Sequence, residues 1–277
     1  MTQPLPQSAN VRVERDGYVT TVTIDRVEAK NACTGIMWVE LGEAFRNISY
    51  SGTRVVVLTG AGDDFCAGAD LGGSGSFGSD DGRGEGEDGA SGTGMFLDAM
   101  RLLGDSVLAV YGCPVPVIAK VDGVCIGAGF GLALAADLIW CSDRARFSAI
   151  FAKRGLSLDF GTSWLLRQRI GAHKAKELAF TAEMMNGERA YEMGFVNAVV
   201  PADELDDAVA AVAASIAAGP PIALSMTKRE INNAGNCSLA QALETEAIAQ
   251  TVNLQTDDLR EALMAYVQRR TPDFKGR

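Results

Sequence analysis

Hydrophobic and polar residues alternate from Val11 to Ile24, and Asp16-Gly17 interrupts the alternation near its middle. A period of two is typical of half-buried strands, and an Asp-Gly pair between two such runs predicts a β-hairpin. Short continuous apolar runs predict three buried strands further along, at 54–59, 116–121 and 138–142. Helical patterns lie between these runs, the first at residues 34–48. Strands and helices that alternate in this way indicate an α/β core with a helix-covered sheet.

From residue 203 onward the pattern predicts helices alone. Breaks rich in Gly, Pro and Asn separate four expected helices, at 203–218, 221–233, 238–252 and 257–269. We therefore divide the chain into a core over residues 1–200 and a helical unit over 201–277. The apolar stripes of the helical unit favour packing on the core or on another subunit.

Residues 72–94 differ in composition from the rest of the core. They hold ten glycines and five acidic residues, with Phe77 as the one large apolar residue. Such a segment buries too little apolar surface to form a core, so we expect a mobile loop. It is either a tolerated insertion or a functional loop at the entrance to a site.

Composition and charge exclude several function classes. With 47% hydrophobic residues, a chain of 277 residues can bury a sizeable core. The formal net charge of −10 argues against the basic surface that binds nucleic acid. No apolar run of about 18 residues could span a bilayer, and the first residues lack the features of a signal peptide. We expect a cytoplasmic protein with neither a nucleic-acid nor a membrane partner.

Cysteine and histidine give no sign of a metal site. The six cysteines form no C-x-x-C pair and lie among apolar neighbours, which is typical of reduced, buried thiols. His173 is the single histidine, so a zinc site is not expected. His173 follows Gly171 in a helical pattern, where we expect a solvent-facing or capping role.

Three glycines at every second position, Gly127, Gly129 and Gly131, open an alanine-rich helical run. A dinucleotide fingerprint would need glycine or alanine where Leu132 stands, and the sequence contains neither a P-loop motif nor G-x-S-x-G. Bare backbone can instead direct two N–H groups at a carbonyl oxygen that becomes negative during a reaction. A helix N-terminus adds its partial positive charge. DFCAGADL (64–71) supplies a second turn of small residues.

Several motifs together resemble those of the enoyl-CoA hydratase/isomerase (crotonase) family. They are DFCAGADL, DGVCIGAGFGLALAAD (122–137), RVEAKNA (26–32), GERAYEMGFVNAVVP (187–201) and RRTPDFKGR (269–277), and they extend over nearly the whole chain. The resemblance implies a crotonase spiral of ββα units with a C-terminal helical oligomerisation unit. It also implies an acyl-CoA thioester substrate, with coenzyme A entering as part of the substrate and no separate cofactor. The implied assembly is a homotrimer or a dimer of trimers.

The resemblance also implies a set of site residues. The family's two oxyanion donors fall on the backbone N–H groups of Ala69 and Ala128. The positions that match substrate-binding or CoA-binding segments are Arg26, Lys30, Ala32, Gly68, Asp70, Leu71, Gly127, Gly131, Phe151, Phe274 and Lys275. We expect Asp70 to be structural, because a carboxylate can bond turn N–H groups. The tail with Phe274 and Lys275 either reaches the nucleotide of a neighbouring subunit, as in the family, or frays in solvent.

The acidic residues differ from those of a hydratase. Family hydratases carry two glutamates around the added water, and the matching positions here are Gly131 and Phe151. Asp159, in KRGLSLDFGTSWLLRQRIG (153–171), matches an aspartate of family isomerases, and D-x-G-x-S-W resembles the ring-epoxide (1,2-epoxyphenylacetyl-CoA) isomerase branch. We predict an isomerase with Asp159 as general base, in a pocket that Gly131 and Phe151 widen and keep dry. Asp159 could instead be the N-cap of the helix that starts near Gly161.

Three other functions stay open. An enoyl-CoA hydratase is disfavoured by the two missing glutamates, and a non-catalytic acyl-CoA-binding protein is disfavoured by the retained Asp159. The aryl-CoA dehalogenase branch uses a helper histidine, and His173 comes too late in the sequence for that role.

Overall fold

The structure is a computed structural model that describes residues 10–48, 52–70 and 91–277, with side chains described from residue 96 in the last range. Leu71 and residues 72–90 of the predicted loop lie outside the described residues. The last four residues of that predicted loop are helical instead, because they form the first turn of a helix, Ser91–Tyr111. Once a helix is nucleated, each added residue costs little free energy, so residues 91–94 can extend this helix although two of them are glycines.

The described residues form two β-sheets. The larger contains β1 (Val11–Asp16), β2 (Val19–Ile24), β3 (Val55–Gly60), β4 (Val117–Val121), β6 (Leu138–Ser142) and β9 (Ala198–Val200), in that spatial order. The smaller contains β5 (Val124–Ile126), β7 (Arg146–Ser148) and β8 (Met185–Asn186). β1 and β2 form the predicted antiparallel hairpin, and the other neighbours in the larger sheet are parallel. The three predicted buried strands are confirmed as β3, β4 and β6.

The described part of the chain forms nine α-helices. They are α1 (Gly35–Ile48), α2 (Ser91–Tyr111), α3 (Ala128–Ala135), α4 (Thr162–Thr181), α5 (Gly187–Met193), α6 (Leu205–Ala217), α7 (Pro221–Ala234), α8 (Leu239–Asn253) and α9 (Asp257–Gln268). The four helices predicted after residue 203 are confirmed within two residues at each end. α4 contains a break at Gly171, where φ is 78°.

Helices cover both faces of the larger sheet. Val56 and Leu58 of β3 belong to the main core with residues of α1, α2 and α3, whereas Val55 and Val57 pack with α6. Successive side chains of a strand point to opposite faces, so an apolar run buries both faces. α6, the first helix after residue 200, therefore packs on the core sheet.

The C-terminal region is attached to the core at specific contacts. Lys228 of α7 is buried, and its Nζ lies 2.8 Å from Asp137 Oδ2. Arg54 Nη2 donates to the Phe274 carbonyl oxygen at 2.8 Å, and the Lys275 N–H donates to Asp258 Oδ1 at 2.6 Å. The alternative in which the tail frays is therefore wrong.

Within the described ranges no single helix is long and apolar enough to cross a membrane. One bent pair, Ala202–Ala217 with Pro221–Ala234, meets the length and composition criteria together and is bent by 105°.

Candidate active site

Two turns meet beside the smaller sheet. The Cys66 N–H donates to the Val124 carbonyl at 2.9 Å, and the Cys66 carbonyl accepts from the Ile126 N–H at 3.1 Å. These bonds hold the turn after Cys66 against the start of α3. A Cβ on Gly68 would lie 3.3 Å from the Ala128 nitrogen, so the backbones of the two turns are in contact. The structure thus brings Gly68 and Ala128 together.

The turn that follows Cys66 is rigid and leaves one backbone donor free. Its other N–H groups are used: Ala67 donates to Lys30 O at 3.0 Å, Gly68 to Cys66 Sγ at 3.4 Å and Asp70 to Cys33 O at 2.9 Å. Among the hydrogen bonds of the described residues, the Ala69 N–H has no acceptor. A donor that is fixed by its neighbours and unpaired suits an oxygen that gains charge during a reaction.

The second free donor lies at the start of α3. Ala128 is the first residue of this helix, and its N-cap is Gly127, which supplies no side-chain cap. The first N–H groups of a helix have no intrahelical acceptor and carry partial positive charge. Gly127 has a φ of 56°, a conformation that favours glycine. Its own N–H donates to Ser148 O at 3.0 Å, so the geometry of this turn is fixed.

Arg26 and Asn31 support the turn that carries Ala69. Arg26 Nη1 donates to Asp70 Oδ2 at 2.8 Å and to the Ala32 carbonyl at 3.0 Å. Asn31 is fully buried, and its Oδ1 accepts a hydrogen bond from the Arg26 N–H. Its Nδ2 donates to the carbonyl oxygens of Ala61 and Asp64, in the loop that follows β3. These contacts fix Asp70 beside Ala69, and its expected structural role stays a prediction. Sequence reasoning missed Asn31, although it lies inside the RVEAKNA motif.

Gly131 does not widen the site, and that part of the sequence prediction was wrong. A Cβ on Gly131 would lie 2.5 Å from the Phe160 carbonyl oxygen and 2.8 Å from Thr162 Oγ1. The turn after Asp159 therefore fills the space that a side chain at position 131 would need. A glutamate there would have to displace this turn.

Asp159 lies half-buried in the turn before α4. Its Oδ1 is buried and has no hydrogen-bond partner in the described part of the chain. Burial raises the pKa of Asp159 from its ordinary value of 3.8 to about 6. The alternative role as N-cap is wrong, because Gly161 is the N-cap and no side chain caps α4. Phe160 and Gly161, with φ of 47° and 69°, separate the carboxylate from the first helical turn.

Phe151 places an apolar ring at the other position where the resemblance implies a hydratase glutamate. It is 5% exposed and lies in a 3-10 helical segment, Ile150–Arg154. A Cβ on Gly127 would lie 3.6 Å from Ile150 Cγ2, so this segment borders the start of α3. This side of α3 is therefore apolar.

Other predicted residues lie farther from the two turns or in solvent. The Lys30 side chain is 64% exposed, with Nζ 3.9 Å from Asp64 Oδ2. Phe274 contacts Arg54, which precedes β3, whereas the Ala69 turn follows the other end of β3. Within one chain, Phe274 and Lys275 thus lie near the N-terminal end of β3, whereas the Ala69 turn follows its C-terminal end. His173 is exposed, as expected. The Leu71 position stays a prediction.

The segment that carries Asp159 packs against α3, the helix that begins at Ala128. Phe160, next to Asp159, touches Gly131, which is three residues or about 4.5 Å along α3 from Ala128. Backbone hydrogen-bond donors and a carboxylate are groups of the kind that enolate chemistry uses.

Comparison with known proteins identifies the family of the chain. The family model described as enoyl-CoA hydratase/isomerase matches residues 14–277. A Rhodobacter capsulatus protein named "probable enoyl-CoA hydratase" is 34% identical over 96% of this chain and 98% of its own length. The 1,2-epoxyphenylacetyl-CoA isomerase of Escherichia coli is 33% identical over 94% of this chain and 95% of its own length.

Solved structures share the fold. An enoyl-CoA hydratase of Bacillus anthracis superposes with a TM-score of 0.86 at 30% identity, covering 97% of this chain and 100% of its own. A candidate enoyl-CoA hydratase of Thermobifida fusca, solved in complex with CoA, superposes with a TM-score of 0.80 at 30% identity, covering 91% and 97%. The predicted crotonase fold is confirmed, and the chain belongs to the enoyl-CoA hydratase/isomerase family.

Proposed function

We propose that this chain is an acyl-CoA isomerase that stabilises a thioester enolate at Ala69 and Ala128 and uses Asp159 as its general base. The observation that carries the proposal is the half-buried carboxylate of Asp159, whose buried Oδ1 has no hydrogen-bond partner among the described residues and whose pKa is raised to about 6. A base with a pKa near neutrality is mostly ionised at pH 7 and still accepts a proton readily.

The reaction needs one base and two hydrogen-bond donors. Asp159 removes a proton from a carbon of the acyl group, and the electron pair moves toward the thioester oxygen. The N–H groups of Ala69 and Ala128 stabilise the resulting negative charge, and the positive end of α3 adds to this stabilisation. Asp159 then returns the proton to a different carbon. The substrate leaves with its double bond or ring rearranged and its composition unchanged.

Hydration is less well supported, because it needs a positioned water as well as a proton donor. The two positions that would carry the water-binding glutamates hold Gly131 and Phe151, and a side chain at 131 would meet the Phe160 backbone. The relatives include proteins named for either activity. We therefore favour an unsaturated or ring-epoxide acyl-CoA as the substrate class, with no cofactor beyond the coenzyme A that the substrate carries.

The test replaces Asp159 by asparagine, which has nearly the same size and shape but cannot act as a general base. Asp159→Asn should still bind a thioester, measured by calorimetry with a slowly reacting acyl-CoA. Isomerisation should fall by roughly two to four decades, the range that general-base catalysis contributes. Parental rates in Asp159→Asn would disprove the role of Asp159. Thioester binding without turnover in the parental protein, across 2-enoyl, 3-enoyl, 2,5-dienoyl and ring-epoxide substrates, would instead support a non-catalytic binder.

We also propose assembly into a homotrimer or a dimer of trimers. Large apolar side chains are exposed on the last three helices and at the end of α8, namely Ile231, Leu239, Leu243, Ile248, Leu254, Leu263, Tyr266 and Val267. Exposed apolar side chains that cluster together usually mark an interface, and this number of them on three helices favours one here. Light scattering should give three or six times the chain mass of 29.2 kDa, and a monodisperse monomer at micromolar concentration would contradict the assembly.

A further inference from the structure

The turn that carries Asp159 is held in a strained conformation. Phe160 has a φ of 47°, in the left-handed region that bulky side chains rarely adopt. Strain of this kind costs about 1–3 kcal/mol and persists only where surrounding contacts enforce it. Phe160 is also 6% exposed, so the strained residue is packed inside the protein.

Two contacts enforce the conformation. The ring of Trp38, on α1, lies 4.5 Å from the Phe160 ring between centroids, at an interplanar angle of 49°. On the backbone side, Gly131 leaves room for the Phe160 carbonyl, which any larger residue would obstruct. Phe160 is therefore held between α1 and α3, and its neighbour Asp159 is fixed with it.

Trp38 contacts its surroundings through its ring, whereas its indole Nε1 makes no hydrogen bond among the described residues. It is fully buried, and its Nε1 has no hydrogen-bond partner in the described part of the chain. Burying an unpaired N–H is unfavourable, and tryptophans normally avoid it. The ring contact with Phe160 is a specific interaction of Trp38 that the indole N–H does not take part in.

We infer that Trp38 is a positioning residue for Asp159, acting through the ring of Phe160. The inference rests on the proposed function, because it concerns the base of that same reaction. The contact between the two rings fixes the direction of the carboxylate and limits the exposure of the turn to water, which maintains the raised pKa of Asp159. Loss of the contact would let the turn relax, so that Asp159 becomes hydrated and misaligned.

The test separates ring contact from simple stability. Phe160→Gly removes the ring and suits a φ of 47°, but it also leaves a cavity in the core, so urea unfolding must first show that the variant is folded under the assay conditions. Its kcat should fall about ten- to a hundredfold with little change in KM, as expected for a misplaced catalytic group. The acidic limb of its pH–rate profile should move from about 6 toward the ordinary carboxylate value of 3.8. Trp38→Leu should shift the profile in the same direction.

Two further variants serve as controls. Trp38→Phe keeps a ring beside Phe160 and loses no hydrogen bond known for the described residues, so it should retain the parental pH profile. Phe45→Leu truncates another fully buried ring of α1 and should lower stability without moving the profile. A parental kcat and pH profile in Phe160→Gly would overturn the inference. A fall in kcat with an unmoved profile would overturn it as well.

A carboxyl carbon NMR titration distinguishes this inference from the proposed function. It measures the pKa of Asp159 without any substrate. If Phe160→Gly and Trp38→Leu lower that pKa while Asp159→Asn proves fully active, the two rings set the environment of Asp159, but Asp159 is not the base and the proposed function fails. If Asp159→Asn is inactive while the titration is the same in all variants, Asp159 is the base and Trp38 does not position it.

Discussion

Ionised Asp159 should destabilise the fold, so its removal is expected to stabilise the protein at neutral pH. The pKa in the folded chain, about 6, lies above the ordinary value of 3.8 expected after unfolding. Between these two values the folded protein binds more protons than the unfolded chain. Stability therefore falls as pH rises from about 4 to about 6, and it stays at the lower level above that range.

The size of the effect follows from the pKa change. A pKa difference of this size corresponds to at most about 3 kcal/mol. Asp159 is only half-buried, so solvent screening reduces the expected value to roughly 1–2 kcal/mol. Asp159→Asn cannot ionise. The free energy of unfolding of Asp159→Asn, minus that of the parental protein, should therefore increase by roughly 1–2 kcal/mol from pH 4 to pH 8. Effects of the substitution on packing are the same at both pH values and cancel in this comparison.

Urea unfolding of both proteins at pH 4 and pH 8 measures this difference directly. Asp105→Asn removes an exposed carboxylate of α2 and controls for the loss of one negative charge. The reasoning is refuted if the stability difference between Asp159→Asn and the parental protein is the same at both pH values. It is also refuted if the difference is larger at pH 4. The combination of gained stability and lost turnover would identify Asp159 as a group kept for function.

Three further outcomes are expected. Gly131→Ala should lower the free energy of unfolding by about 1–3 kcal/mol, because its Cβ would meet the Phe160 carbonyl, whereas Gly35→Ala, with open space around its Cβ, should change it little. Equal urea midpoints for these two variants would contradict the contact. Arg26→Gln should lower kcat/KM at least about tenfold by releasing Asp70 beside the Ala69 donor, and unchanged steady-state kinetics would exclude that role. Lys228→Met should destabilise by about 2–3 kcal/mol, since it leaves Asp137 without its ion-pair partner, and adding Asp137→Asn should restore part of the loss. A double variant no more stable than Lys228→Met would argue against the pairing.

Regular elements were predictable because their signals are local. The alternation around Asp16-Gly17 gave the hairpin, and the run before Thr59 gave a strand buried on both faces. Gly and Pro breaks gave the C-terminal helices. The two small-residue turns were recognisable because a backbone donor needs residues without obstructing side chains.

The details around Asp159 were not predictable, because they depend on contacts between distant segments. A phenylalanine is a poor signal for a left-handed residue, so neither the strained turn nor the cap at Gly161 could be expected. From the sequence, a glycine at position 131 predicts a wider pocket, but in the fold the Phe160 backbone occupies the space beside it. Trp38 lies far from Asp159 in the sequence, and no motif links them.

The mass of the product that the parental protein forms tests the proposed function most directly. Purified protein is incubated in turn with 2-enoyl, 3-enoyl, 2,5-dienoyl and ring-epoxide CoA thioesters, and each product is analysed by mass and ultraviolet absorbance. An isomerase that relies on Asp159 alone should change the absorbance of at least one unsaturated or ring-epoxide substrate while leaving its mass unchanged. A product heavier by one water, formed from a 2-enoyl substrate as the main reaction, would contradict the account, because the positions of the two water-binding glutamates hold Gly131 and Phe151.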